Sequence, residues 1–523
     1  MTVAVTTAVT EGLTLRQWGV VLTASIGALL EIIDTSITNV ALISIQANLG
    51  ATLAEVGWVV TGYAMATVVM IPLSSWLSGR FGERSYFIFC LTGFTVASVL
   101  CGLAPNLGWL IAARILQGLL GGGLLPKAQT ILFRAVPPSM QGVAQGMFGV
   151  VVLAGPALGP TLGGLLTDGL GWRWIFFINV PVGLVTVLMA LAFLEPDGET
   201  AAGSTPVDWV GILLLTACLA SLQVVLEQGH QLDWFEDPGL RQLGLLAAVS
   251  LPVFVWWERR QRRPAVDLRV LRHRYLAAGS LFSVVLGMGL YGTVFVVPVF
   301  AQSVLGYTAT QTGLLLLPGA LASALTMALL GRVVQRIDPR LLIGLGAAGM
   351  VLTMVWMAAI GPDTGAEALF WPLIARGTTT VMMFLPLSLA SLGPLPREEV
   401  ASGSGFYNLS RQLGGTFGIA LLTLVVERRT ALHRAHLVEH LTPGNPLLQQ
   451  RLIALQAWLQ ERAPGSGEGY AQSLQLLSLQ VDRQAALLAY GDVFRVVGVL
   501  FLAVIPLVLL LGRPRPEAAD ATP

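Results

Sequence analysis

Residues 17–41 read QWGVVLTASIGALLEIIDTSITNVA, a run of 25 residues broken by only two charges, Glu31 and Asp34. A bilayer core takes about 20 apolar residues in a helix, so this stretch reads as a membrane span. Runs of the same kind recur near 53–73, 85–104, 108–132, 141–166, 174–194, 207–228, 240–258, 275–301, 310–333, 340–360, 369–391, 403–426 and 488–512, which makes about fourteen spans. Composition agrees. Hydrophobic residues make up 54% of the 523 residues and charged residues 11%, too few charges to cover a soluble protein of this length. The fold expected is an all-α polytopic membrane protein.

The net charge of +1 and the absence of a basic stripe argue against a nucleic-acid partner; membrane lipid is the expected surround. Cys90, Cys101 and Cys218 all sit in apolar runs without metal-ligand spacing and read as small buried hydrophobes. The opening MTVAVTTAVTEG lacks a charged n-region, so no removable signal peptide is expected.

Arginines gather in alternate loops: Arg80 and Arg84; Arg259 through Arg274; Arg332, Arg336 and Arg340; Arg513 and Arg515. The positive-inside rule then places these loops and both termini in the cytoplasm, and segment 427–487 outside. Two echoes point to a duplicated plan. Gly79-Arg-Phe-Gly-Glu-Arg84 after the second span is answered by Gln335-Arg-Ile-Asp-Pro-Arg340 after the tenth, and Pro126 in the fourth by Pro386 in the twelfth. A spacing of eight spans fits two six-helix halves with two helices inserted between them, the plan of many secondary transporters. The expected units are residues 1–200, an inserted pair over 201–270, and 271–523 with its external loop 427–487.

Charge inside a bilayer needs a reason. Glu31 and Asp34 are three residues apart and share a helix face. Carboxyls buried in an apolar bundle can take up and release protons near neutral pH, the physical requirement for proton coupling. Arg114 in the fourth span and Asp34 in the first both lie roughly 9–10 Å from the outer surface at 1.5 Å per residue, so they can pair. Protonating the acid would remove its attraction to the arginine, which makes the pair a switch. Lys127 reads as snorkelling to the interface, and Arg376 and Arg411 as lining a cavity or meeting a carbonyl. The fifth span, GVVVLAGPALGPTLGGLL over 149–166, carries Gly155, Gly159 and Gly163 at intervals of four with Pro156, Pro160 and Gly164 among them. Such a stripe brings helices close, and the prolines bend the span. Substrate-pocket candidates are the aromatic and thioether side chains Met65, Tyr291, Phe295, Met382, Phe406 and Tyr407, with Arg411.

Other patterns carry less. His436-Leu-Val-Glu439-His440 matches a metalloprotease string but lies in a loop too short for a peptidase domain, so no metal site is expected. No Walker motif and no nucleophile–base constellation is present, which leaves an ion gradient as the energy source and an enzyme disfavoured.

Together these motifs resemble the fourteen-helix drug:proton antiporter family of the EmrB and QacA type, within the major facilitator superfamily, over essentially the whole chain. Asp34-Thr-Ser-Ile-Thr-Asn39 is similar to its first-helix signature. Arg80, Gly82 and Arg84 resemble its loop 2–3 motif, and Arg114, Gln117 and Gly118 its helix-four motif. Gly155-Pro156, Gly159-Pro160 and Gly163-Gly164 resemble the antiporter motif, and Trp172 to Asn179 the start of helix six. Gly79 stands where the loop motif usually has an aspartate, and Ser75 where it has a glycine.

The resemblance implies a major facilitator fold of two six-helix bundles plus two inserted helices. It also implies proton-coupled export of a small hydrophobic, drug-like substrate across the inner or plasma membrane, with no cofactor beyond the proton gradient. In Gram-negative relatives it implies a periplasmic adaptor and an outer-membrane channel as partners, for which 427–487 is the available surface. Leu448, Leu452, Leu455 and Leu459 there have helical spacing, as a lid or partner face would. Two buried carboxylates would favour cationic substrates; anionic ones would turn attention to Arg376 and Arg411. Export of a native metabolite, lipid precursor or siderophore, and a non-transporting scaffold or sensor, remain alternatives.

Overall fold

The structure is a computed structural model that describes residues 13–197, 207–230, 232, 234–261, 264–361, 366–439, 441–442, 444–462 and 469–511. The first half holds α1 (Leu15–Leu49), α2 (Leu53–Phe81), α3 (Glu83–Gly102), α4 (Leu107–Gly121), α5 (Leu124–Ala135), α6 (Gln141–Gly169), α7 (Trp174–Phe177) and α8 (Asn179–Phe193). The inserted pair is α9 (Trp209–Gln228) and α10 (Pro238–Arg260). The second half holds α11 (Arg274–Ser303), α12 (Ala309–Val333), α13 (Pro339–Ala358), α14 (Ala366–Leu392), α15 (Val400–Glu439), α16 (Pro446–Arg462) and α17 (Gly469–Val504).

Thirteen spans among the described residues are long and apolar enough to cross a membrane. α6, a helix of 29 residues, stands where the fifth span is expected and is not one of the thirteen. The expected fourth span is α4 and α5 laid end to end, broken at Gly122-Gly123, and the sixth is α7 with α8.

Local sequence sets the helix ends. Thr14 with Gln17, Thr52 with Glu55 and Thr308 with Gln311 form capping boxes on α1, α2 and α12, each satisfying amides that a helix start leaves open. Asp237 and Asp338 cap α10 and α13 ahead of a proline in the first turn. Gly50 closes α1 at φ 64°.

The halves meet along α6 against α12 and along α2 and α5 against α15. At the end that carries the α2–α3 turn they are joined by side chains. Gln129 donates to the Ser388 hydroxyl at 2.8 Å and accepts from Asn408 at 2.6 Å. Ser404 donates to the Pro126 carbonyl at 2.9 Å, and Arg134 to the Arg397 carbonyl at 2.9 Å. α9 sits in the seam between α2 and α15.

Segment 427–487 differs from a loop. α15 runs 40 residues without a break, α17 runs 36, and α16 packs on α17. Leu452 and Leu455 are buried and Leu448 lines a cavity shared with α17 residues Leu474 and Leu477. The middle of the leucine stripe offered as a partner face is therefore spent inside the protein, with Leu448 and Leu459 half-buried, and Leu447, Ile453 and Trp458 are the exposed apolar residues of α16. Arg262, Arg263, Arg513 and Arg515 lie outside the described residues.

Candidate coupling site

α1 carries both acids inward; Asp34 and Arg114 are each fully buried. Arg114 Nη1 ion-pairs with Asp34 Oδ2. Asp34 Oδ1 accepts from Gln117 Nε2 at 3.1 Å and Asn179 Nδ2 at 2.9 Å. Ser98 ties the donors together, accepting from Asn179 at 3.0 Å and Gln117 at 3.3 Å. The guanidinium is held as firmly. Its Nε donates to the Val59 carbonyl of α2 at 3.1 Å, its Nη1 to Gln117 Oε1 at 2.7 Å, and it lies over the Tyr63 ring at 4.1 Å. A pair taken out of water is stable only when its remaining lone pairs and protons are met; α1, α2, α3, α4 and α8 contribute partners here, and Arg114 Nη2 is the one guanidinium nitrogen left buried without a hydrogen bond.

Glu31 has a different partner, although it shares the face of α1. The α4–α5 break leaves first-turn amides of α5 without intrahelical acceptors, and Leu125 N–H donates to Glu31 Oε2 at 2.9 Å. The positive end of α5 thus holds one acid and Arg114 the other. Gly118 makes room for this: a Cβ there would lie 2.5 Å from the Tyr63 carbonyl oxygen.

At the α2–α3 turn, Gly82 takes φ 94° and offers α3 no capping side chain. The cap comes from 112 residues away. Asp197, after α8, accepts from the Ser85 amide and hydroxyl at 2.9 and 2.6 Å and from the Arg84 amide at 2.9 Å. A Cβ on Gly82 would fall 2.2 Å from the Asp197 carboxyl carbon. Partial burial pushes the Asp197 carboxyl up, but the hydrogen bonds from Ser85 and Arg84 outweigh it and leave its pKa below the ordinary aspartate value. Arg84 also donates to the Leu191 carbonyl at 2.6 Å, and Arg80 lies over Trp76.

Lys127 does not snorkel. It is fully buried, donating to Ser78 at 2.6 Å and pairing with Glu83 at 3.3 Å, and Glu83 also meets Arg134 at 2.9 Å. The α5 break turns the lysine inward, so its charge needed a partner rather than an exit.

The glycine stripe Gly155, Gly159 and Gly163 packs on α1, against Ile32, Ser36 and Ile37, while Gly164 has open space beside it. It is a contact within one half. The contact between halves uses other glycines of α6: a Cβ on Gly142 would lie 2.5 Å from the Gly331 carbonyl of α12, and Gly149 meets Met327 and Phe384. Pro156 and Pro160 lie within α6.

The pocket candidates scatter. Phe295 is 43% exposed. Met65 packs on Val224, Val225 and Leu240 of the inserted pair, and Met382 lies against Gly346 of α13. Phe406 packs toward α2 and α9, and Tyr291 against Gly415. Tyr407 is buried and, with Phe384, stacks on Arg411, which bonds Asn408. Arg376 donates to Thr293 at 3.0 Å. In segment 427–487 His433 pairs with Asp492; His440 lies outside the described residues, and among those described no group of three metal-ligating side chains forms. The three cysteines are buried and free.

Sequence reasoning missed Ser98, Gln129 and Glu227, and named Asn179 only as the end of a motif. An amide near the start of a span was the one available signal for Asn179.

This arrangement, with its two bundles and its embedded acid held across helices, defines a polytopic membrane transporter. A family model described as Major Facilitator Superfamily matches residues 24–419. The fatty acid resistance protein FarB of Neisseria gonorrhoeae is 33% identical, over 95% of this chain and 96% of FarB. The multidrug export protein EmrB of Escherichia coli is 32% identical over 94% of each chain, and the colistin resistance protein EmrB of Acinetobacter baumannii 29% over 95% and 96%. Solved structures share the fold. The human organic anion transporter MFSD10 superposes with a TM-score of 0.59 at 14% identity, over 93% of this chain and 99% of its own. The proton:xylose symporter XylE gives 0.58 at 13%, over 94% and 96%. The chain belongs to the Major Facilitator Superfamily, in its EmrB-type efflux branch.

Proposed function

We propose that this chain is a proton-coupled antiporter that exports hydrophobic, drug-like compounds, cationic ones included, by alternating access. One observation carries the reading: a fully buried aspartate, Asp34, whose charge is matched by Arg114 and by donors from other helices. Protonation removes the attraction to Arg114 and leaves α1 and α4 free to shift against each other. Binding of a proton and binding of substrate then favour different arrangements of the same helices.

The arginine-rich loops support a cytoplasmic α2–α3 end, with both termini on that side. The hydrogen bonds from Gln129, Ser404 and Arg134 would then close the cytoplasmic side. In a Gram-negative cell, the α15–α16–α17 projection is the surface for a periplasmic adaptor leading to an outer-membrane channel. Leu447, Ile453 and Trp458 on α16 and Leu479 on α17 are among its exposed apolar residues.

A second reading, export of an anionic amphiphile such as a lipid precursor, draws on Arg411 and Arg376. Neither meets a carboxylate within ion-pair distance among the described residues, and Arg411 Nη1 has no hydrogen-bond partner. The test is uptake of a lipophilic dye into inverted vesicles under an imposed pH gradient. Proton-driven export predicts uptake that collapses with a protonophore and ignores ATP. Competition by alkyl carboxylates but not by lipophilic cations would select the second reading, and uptake indifferent to the gradient would refute proton coupling.

A further inference from the structure

α9 reads in sequence as a plain apolar span, yet its last turns carry Gln223, Glu227 and Gln228 into the seam between the halves. Gln228 donates to Thr61 of α2 at 2.9 Å. Gln223 donates to Glu227 Oε1 at 2.8 Å and reaches Thr416 of α15 at 3.3 Å. One inserted helix therefore holds both halves through a polar chain with a carboxyl in its middle. Glu227 Oε2 is buried and makes no hydrogen bond of ordinary length, the Thr61 hydroxyl being a polar neighbour of the carboxyl.

Its position relative to the Asp34 site is defined by α2. Val59 of α2 accepts from Arg114, and Thr61 is two residues on, within about 3 Å of the same depth and on the opposite face. Met65, one turn further, also faces α9. α2 is thus a wall with the Asp34–Arg114 pair on one side and Glu227 at the same level on the other.

The ionisable groups on the surrounding helices do not neutralise Glu227. They include Glu55 and Tyr63 on α2, Arg411, Glu427, Arg428 and Arg429 on α15, and Arg241 at the start of α10, with Arg429 paired to Asp492 at 3.5 Å. His230, just past α9, is engaged with Glu427 at 3.2 Å, Glu55 caps its own helix at Thr52, and Tyr63 faces Arg114. Among the described residues no cation lies within ion-pair distance of Glu227. A carboxylate anion shut in a membrane seam without a cation and with one oxygen unbonded is costly.

We propose that Glu227 is a second proton-exchanging carboxyl of the transport cycle, carried by the inserted helix and opened to water when α15 moves away from α2. In the closed seam the carboxyl holds its proton on Oε2. When the Gln223–Thr416 link parts, water reaches that oxygen, its O–H bond breaks and the proton leaves to the water. Reclosure reverses the step, and no other bond changes. The inserted pair is then part of the coupling machinery rather than a spacer.

This inference rests on the proton-coupled reading above, and one experiment separates the two. Protons moved per substrate, and transport rate against pH, are measured in proteoliposomes for wild type, Glu227→Gln, Glu227→Asp and Thr416→Val. The expected results are a lower proton count in Glu227→Gln with transport retained, restoration in Glu227→Asp, and a midpoint moved by roughly one pH unit in Thr416→Val, where the acid is kept but its tether to α15 is lost. Should Glu227→Gln fail to fold, Thr416→Val decides, and an unmoved midpoint overturns the proposal. An unchanged count and profile in Glu227→Gln also overturns it. A wild type that moves no protons refutes the proton-coupled reading itself, and this one with it.

Discussion

Asp34 shows how much support one buried acid takes. Arg114 supplies the charge, but Gln117 and Asn179 fix the other oxygen, and Ser98 orients both amides. Replacing Asn179 by leucine removes a donor shared by two buried acceptors. The expected cost is about 1–3 kcal/mol, seen as a lower melting temperature together with slower transport. Asp197 behaves differently because it sits outside the membrane. Its hydrogen bonds hold its carboxyl below the ordinary value, so its contribution is complete above about pH 4 and is lost as pH falls through the lower folded-state value. Asp197→Ala should destabilise the protein by about 1 kcal/mol near neutrality, the usual worth of a helix cap. The gap between the two melting curves should narrow below pH 4; a gap constant from pH 7 to 3 would contradict the trans cap. The Asp34–Arg114 pairing was legible in the sequence, since charges in spans are few and their depths can be counted. Ser98 and Asn179 were not, because uncharged polar residues occur in spans at little cost and give no depth to match.

At the scale of elements, α6 carries two ridges of small residues with different duties. Gly155, Gly159 and Gly163 seat it on α1 within one half, and Gly142, Gly146 and Gly149 seat it on α12 across the interface. Gly159→Leu would drive a side chain into Ser36 and should prevent folding, seen as loss of the monodisperse peak in detergent. Gly142→Val leaves the α1 contact intact and wedges the halves apart beside Gly331. A cysteine placed at Gln129 should then label severalfold faster with a membrane-impermeant maleimide; unchanged labelling would argue that this end does not open through α6 and α12. The proline–glycine pattern drew attention to the first ridge, while the second is spread over less conspicuous sequence and needs its partner helix to be seen. Segment 427–487 shows the same limit. Its helical spacing was readable, but which side of α16 stays free depended on α17, which packs on it.

The whole molecule places its embedded polar groups on two kinds of boundary. Asp34–Arg114 and Lys127–Glu83 lie between helices of the first half, whereas Gln129, Ser404, Asn408 and the Glu227 chain lie between halves. Pairs of the first kind can change protonation without parting the bundles. Hydrogen bonds of the second kind must break when the bundles rock, and each is worth only about 1 kcal/mol net. Such a closure is weak enough for a change at the buried acid to reverse. The all-helical, many-span plan was legible from hydropathy alone, thirteen of the fourteen expected spans being long and apolar enough among the described residues. The position of α9 in the α2–α15 seam was not, because nothing in an apolar helix says which groove it will fill.

Substrate-triggered proton flux in proteoliposomes under an imposed pH gradient, compared between wild type and Asp34→Asn, is the most direct test of coupling at the buried pair. Wild type should move protons on addition of a lipophilic cationic dye, and Asp34→Asn, with its fold confirmed by melting temperature, should not. Equal proton flux in the two proteins would contradict the assignment of the coupling site to Asp34 and Arg114.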